Sequence, residues 1–260
     1  MKYALITTLM CAPTALVAGG VFDGADVVFL GELHDNPAHH LRQAELVAEV
    51  QPTALVFEML TQAQADLVTP DLVTDAGALE AALGWNESGW PDFSMYYPIF
   101  AAAPEAAYFG AAVPRDVARA AMAEGMASAF RGDAAAYGLT AVLPEEQQAQ
   151  REALQLAAHC DAMPAEMLPV MVDIQRLRDA ELAYSAVQAF EAHGGPVVVI
   201  TGNGHARKDW GAPVYLMAAA PDLRIASLGQ GEDDVLPQGL FDVVETAPEV
   251  DRGDPCAAFR

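Results

Sequence analysis

"VVFLGELHDNPAHH" (residues 27–40) is the stretch from which the fold is read. Its first half is apolar without polar alternation, the pattern of a strand buried on both faces of a helix-covered sheet. The run stops at Gly31, and Glu32, His34, Asp35, His39 and His40 follow within nine residues. Asn36 then Pro37 reads as a helix start, a capping side chain followed by proline at the first helical position. The segment therefore predicts strand, polar strand end and helix, with half of the six histidines of the chain at one strand exit.

Working outward, "TALVFEM" (53–59), "AAYFGAAVPR" (106–115) and "PVVVITGNGHA" (196–206) repeat the buried-strand pattern. "PVYLMA" (213–218), "RIASLGQ" (224–230) and "FDVVETA" (241–247) are further strand expectations. Helical patterns fill 37–50, 61–83 and most of 116–194, ending at Gly194-Gly195. "GWNESGWPDFSMYY" (84–97) reads as an aromatic loop, with a helix starting at Pro98. This order predicts an α/β fold: a central, mostly parallel sheet flanked by helices, with a helical insertion or cap over about 116–170.

Composition narrows the function. The chain has 260 residues and is 53% hydrophobic, enough for one large domain with a sizeable core. Its formal net charge is −23, with 13 Lys and Arg against 36 Asp and Glu. That excludes a non-specific nucleic-acid binder and disfavours docking on anionic lipid. Residues 1–19 read as an export signal, one lysine before an apolar stretch and small residues near Ala18. Export predicts a periplasmic protein. Lipid anchoring through Cys11 is the lesser expectation, because Met10 is bulky where a lipobox needs a small residue. Cys160 and Cys256 remain in an exported chain and can pair in an oxidising compartment.

Binding sites of open parallel sheets lie beyond the carboxyl ends of the strands. Glu32 and His34 stand there after the first strand and Glu58 after the second. Arg115 follows the third, and Asn203 and His205 the fourth. "GELH" (31–34) and "GNGH" (202–205) share one design, glycine for a turn off the strand and a histidine projecting into the crevice. His34, His205 and Glu58 form a plausible ligand set for a divalent metal ion. On the long helix, Gln175, Arg178 and Asp179 fall on one side and can support the crevice. A hydrogen-bonded network that only orders the loops is the competing reading.

The blocks "GELHDNPAHHLRQAELV", "ALVFEM", "GW…W…MYYPIF", "VDIQRLRDAELA" and "VVVITGNGHARKDWGAPVYL" resemble, in this order, the ChaN-like haem-binding family. The resemblance runs over roughly 25–217 and extends to the wider superfamily of Tiki/TraB proteins and erythromycin-esterase-like enzymes. It implies an exported haem binder in iron uptake, homodimers holding haem, and an outer-membrane haem-uptake partner. The wider superfamily implies a different activity, hydrolysis through the positions that match Glu32, His34, Glu58 and His205.

For haem, the axial candidates are Tyr96 and Tyr97 in the aromatic segment, and His159 with Met163 at a helix end. His39 and His40 are further candidates, one of which should point over the crevice. A haem binder is the first expectation, and a metal-dependent or Glu/His hydrolase the second.

Overall fold

Val27–Glu32 forms strand β1, and all six of its residues are buried. The computed structural model describes residues 20–254 and 256–257, so the export segment and Cys11 lie outside the described residues. Helix α1 follows at Pro37–Val50, with the Asn36 side chain accepting from the Ala38 amide and proline in the first turn. Strand β2 is Ala54–Phe57. Three short helices follow, α2 (Gln62–Ala65), α3 (Pro70–Val73) and α4 (Ala76–Leu83), capped by Thr61, Thr69 and Asp75. Each cap restarts the helix, so the helical pattern over 61–83 is three pieces.

Helix α5 (Phe93–Ala102) and strand β3 (Ala107–Gly110) come next. The helical block holds α6 (Arg115–Glu124), α7 (Met126–Ala129), α8 (Glu145–Ala158) and α9 (Leu168–His193). Strand β4 (Val197–Gly202) runs into the single-turn helix α10 (Asn203–Ala206). Helix α11 (Ala212–Ala219), strand β5 (Ile225–Glu232) and strand β6 (Val243–Ala247) complete the described chain.

The six strands are all parallel, in the order β3-β2-β4-β1-β5-β6. This is the α/β fold read from the sequence. The chain leaves β1 toward β2 and leaves β4 in the opposite direction, toward β5. The adjacent pair β1–β4 is thus the switch point of the sheet, where a crevice opens beyond the strand ends.

Alternate strand residues feed two cores. Val28, Leu30, Leu55, Phe57, Val198 and Ile200 face α1 and α5. Val27, Phe29, Ala54, Val56, Val197 and Val199 face α9 and α11. Ala180, Ala183, Ala186 and Ala189 repeat every three residues along α9 and let the helix lie close to the sheet.

Two local readings are corrected. "PVYLMA" is helix α11, because a short apolar run cannot be assigned by periodicity and Pro213 at its start suits a first helical turn. The segment 84–97 is not a loop throughout. Asp92 caps α5 at Phe93, and Pro98 lies inside that helix. Cys160 and Cys256 form a disulfide, tying the turn after α8 to the C-terminal segment.

Candidate functional site

Two buried polar clusters meet at the switch point. The first centres on Glu32, the last residue of β1. Its Oε1 accepts from the Tyr96 hydroxyl at 3.0 Å and pairs with His34 Nδ1 at 2.8 Å. His40 Nδ1 lies 3.0 Å from Oε2, an ion-pair distance with poor hydrogen-bond alignment. His40 Nε2 is 2.8 Å from the His34 carbonyl, which only accepts, so Nε2 carries a hydrogen. A lone pair on Nδ1 would then face a carboxylate. The arrangement is stable only with His40 charged.

His39, one residue earlier, has the opposite state. Its Nδ1 accepts the Leu33 amide at 3.0 Å, and its Nε2 donates to the Gly231 carbonyl at 2.9 Å. Both nitrogens are committed to a neutral ring. Burial accordingly holds the His39 pKa below its ordinary value.

Burial also works against charge on Glu32, yet the His34 and His40 partners outweigh it and hold its carboxyl at about 2. For His34, burial is outweighed by the hydrogen bond to Glu32 and the fields of Glu58, Glu32 and Asp35, which raise the ring to about 9. The Tyr96 phenol is pushed up by burial and by Glu32, so it stays a neutral donor.

The second cluster joins α9, β2 and α10. His205 Nδ1 is 2.6 Å from Asp179 Oδ1, and its Nε2 is 3.7 Å from Glu58 Oε1. Glu58 Oε2 accepts from the Thr201 hydroxyl at 2.6 Å and the Gly202 amide at 2.8 Å. Burial opposes charge on His205, and Glu58 and Asp179 together raise its pKa. The pKa of Glu58 is lowered: burial is outweighed by His205, His34 and its two donors. Three carboxylates thus face three imidazoles at a largely buried strand end, where unpaired charge would be costly.

Gly202 separates the clusters. A Cβ there would stand 3.0 Å from His34 Cε1 and Nε2 and 3.8 Å from Glu58 Oε2. The backbone at Gly202 is ordinary, with φ −65°. The glycine of "GNGH" thus leaves room beside the His34 ring, while its backbone makes the turn off the strand at a φ open to any residue.

Other expected site residues divide by role. The Asn203 side chain exchanges hydrogen bonds with both backbone groups of Gln230 and pins α10 to β5. Arg115 and Arg178 line a cleft of about 410 Å³ with Glu58 and Trp90, while Gln175 lines a smaller one with His205. Tyr96 is buried and engaged by Glu32, and the Tyr97 hydroxyl donates to the Val73 carbonyl. His159 caps the end of α8, with Nδ1 2.7 Å from the Gln155 carbonyl, and Met163 is half-buried nearby in the chain.

His34, His205 and Glu58 do come together, but as charge partners. No group of three His, Cys, Asp or Glu among the described residues is arranged to hold a metal ion. Sequence reasoning missed Thr201 and Trp90. Thr201 is the polar residue within a buried strand, which needs a partner and so carried a usable signal. Trp90 meets the His34 ring edge-on at 4.9 Å, a contact across the fold with no local sequence signature.

The family model described as haem-binding uptake, Tiki superfamily, ChaN matches residues 21–216, spanning both clusters. Among solved structures, the chain resembles that titled "Cofacial heme binding to ChaN of Campylobacter jejuni". The TM-score is 0.61 at 20% identity, covering 84% of this chain and 86% of that one. A weaker likeness, TM-score 0.44 at 12% identity, is to the type III effector HopBA1, covering 86% of this chain and 88% of that one. No curated protein matches the chain.

Proposed function

Because the chain belongs to the haem-binding uptake family of the Tiki superfamily, the ChaN family, we propose that it binds haem and serves haem or iron uptake at the cell envelope. Residues 1–19 are its export signal in this reading and the periplasm its compartment, with an outer-membrane haem-uptake system as partner.

One observation supports His159 as the iron ligand. The Gln155 carbonyl can only accept, so the His159 Nδ1 facing it at 2.7 Å carries a hydrogen, and Nε2 is the ring nitrogen left to take a ligand. Histidines that bind metal are commonly oriented this way, through a hydrogen bond from the other ring nitrogen. Of the proposed axial candidates, Tyr96, His39 and His40 are buried and committed to partners, and the Tyr97 hydroxyl is held by a carbonyl. His159 is the ring that fits.

A slot of about 470 Å³ against α8 is lined by Leu33, Leu154, Val235, Leu236 and Pro237 together with polar groups that include Asn203, Arg207 and Glu232, and it offers apolar surface to a porphyrin, although His159 is not part of its lining. Met163, four residues after His159, is a softer candidate contact. Val235 and Leu236 are 72% and 64% exposed, apolar surface that a second copy of the chain would cover. In this reading His159 would hold the haem, and the bound haem would supply the iron that the protein carries.

The test is a titration with ferric haem followed at the Soret band. A saturable change with one haem per chain is the expected result. Absence of saturation would sink the reading.

The charged crevice favours a second reading, a Glu/His hydrolase. At neutral pH the His34 imidazolium can act as an acid, while the Glu58 carboxylate is the available base. An aryl ester offered as substrate should then turn over in the parent protein and at least about a hundredfold more slowly in Glu58→Gln. Equal rates in the two proteins would discard it.

A further inference from the structure

Positive charge is scarce in this chain, and most of it among the described residues is paired with carboxylates. Arg42 pairs with Glu245, Arg131 with Glu181 and Arg207 with Asp209. Lys208 pairs with Asp242, Arg224 with Asp26, and Arg252 with Asp35 and Glu232. Arg176 has Asp173 and backbone carbonyls, and Arg151 lies against the Trp210 ring. Among the described residues three guanidinium groups remain without a hydrogen bond or ion pair: Arg115, Arg119 and Arg178. Two of these three, Arg115 and Arg178, line the same cleft.

That cleft lies beyond the ends of β2 and β3 and holds about 410 Å³. Its neutral polar groups are already used. Gln64 accepts from Thr61 and donates to the Leu83 carbonyl. Ser88 donates to the Trp85 carbonyl and accepts the Trp90 amide. The two arginines, with the Trp90 indole N–H, are the groups left to recognise a ligand. Arg115 is exposed at the mouth, and Arg178 is half-buried on α9, next to Asp179.

The inner wall is Glu58, whose charge is already matched by His205 and His34 and which offers an incoming anion no counter-charge. The anionic end of a ligand must therefore sit outward, at the arginines, with a neutral part directed inward. Trp90 offers a flat apolar face along the way, and its ring also touches His34.

We propose that this cleft binds a small organic ligand through an oxyanion, a carboxylate or a phosphate, clamped between Arg115 and Arg178 with its neutral body against Trp90. Arginine suits the task because its planar fork can donate two parallel hydrogen bonds to an oxyanion. The subsite is separate from the apolar slot beside α8, so it stands whether or not haem binds there.

The experiment titrates the full chain with benzoate and with phenyl phosphate, reading Trp fluorescence and the guanidinium NMR signals of Arg115 and Arg178. Saturable binding of at least one compound is expected, with both arginine signals moving. Arg115→Ala and Arg178→Gln should each weaken it by about tenfold or more. Trp90→Phe should remove the fluorescence change but keep the guanidinium response. Binding of benzoate alone identifies a carboxylate ligand, and binding of phenyl phosphate alone a phosphate ester. Arg115 is exposed, so its substitution leaves folding intact and keeps the test valid. Absence of saturation with both compounds, or affinity unchanged in the Arg115→Ala/Arg178→Gln double variant, overturns the proposal.

Discussion

Glu32→Gln should lower the stability of the protein by about 3–5 kcal/mol, the cost of leaving one partner of a buried ion pair uncompensated. At this chain length that is a fall in Tm of roughly 10 °C. Glutamine fills the same space, so packing is not the cause. The loss is electrostatic: His40 has its Nε2 on a carbonyl and its Nδ1 on Glu32, and His34 also depends on Glu32.

The effect should also depend on pH in a defined sense. The Glu32 carboxyl, ordinarily at 4.5, is held at about 2. Its contribution is present above pH 4.5 and is lost as pH falls through 2. The His34 ring is raised from 6.5 to about 9. Its contribution is complete below pH 6.5 and is lost as pH rises through 9. The Tm gap between parent and Glu32→Gln should be widest between these limits, from pH 4.5 to 6.5, and close on both sides. Thermal melts across pH check this, and a gap that widens steadily above pH 9 would contradict it.

Gly211→Ala should be the second large effect. A Cβ at Gly211 would stand 2.2 Å from the His205 carbonyl oxygen and 2.7 Å from that of Arg207. Both obstacles are backbone, and neither can swing aside as a side chain could. The backbone at Gly211 is extended, with φ −78°, so the expected cost is crowding rather than dihedral strain. We expect a loss of about 3 kcal/mol. The same displacement should pull the His205 ring from Asp179, lowering its raised pKa. Calorimetry measures the first effect and an NMR titration of His205 the second. A variant with unchanged Tm and unchanged His205 titration would refute the close packing at this turn.

Much of this architecture was legible from residue types alone. Buried strands announce themselves by unbroken apolar runs, and "VVFLGE" and "VVVITG" became β1 and β4 at the centre of the sheet. Their polar ends were correctly placed on one edge, because carboxyl ends of parallel strands share a side. Less legible was what each polar group touches. His39 and His40 are adjacent in sequence, yet one is held neutral by the Leu33 amide and the other charged by Glu32. That difference is set by 100° of helical rotation and by a partner on β5, which no local pattern encodes.

Tyr96 illustrates the same limit from another direction. Its aromatic surroundings suggested a loop open to a large flat ligand. In the fold, Asp92 starts a helix early, and the ring turns inward between His40 and Trp85. "PVYLMA" failed for a simpler reason: an apolar run of strand length was long enough for two helical turns.

In the proposed reading haem is held at His159, apart from the charged crevice at the strand ends. The most direct measurement compares haem affinity, from Soret titrations, in His159→Ala and His34→Ala side by side. His159→Ala should weaken binding by at least about tenfold and shift the band, while His34→Ala should stay within about twofold of the parent. The reverse pattern, loss in His34→Ala with His159→Ala unaffected, would place the iron in the crevice and contradict it.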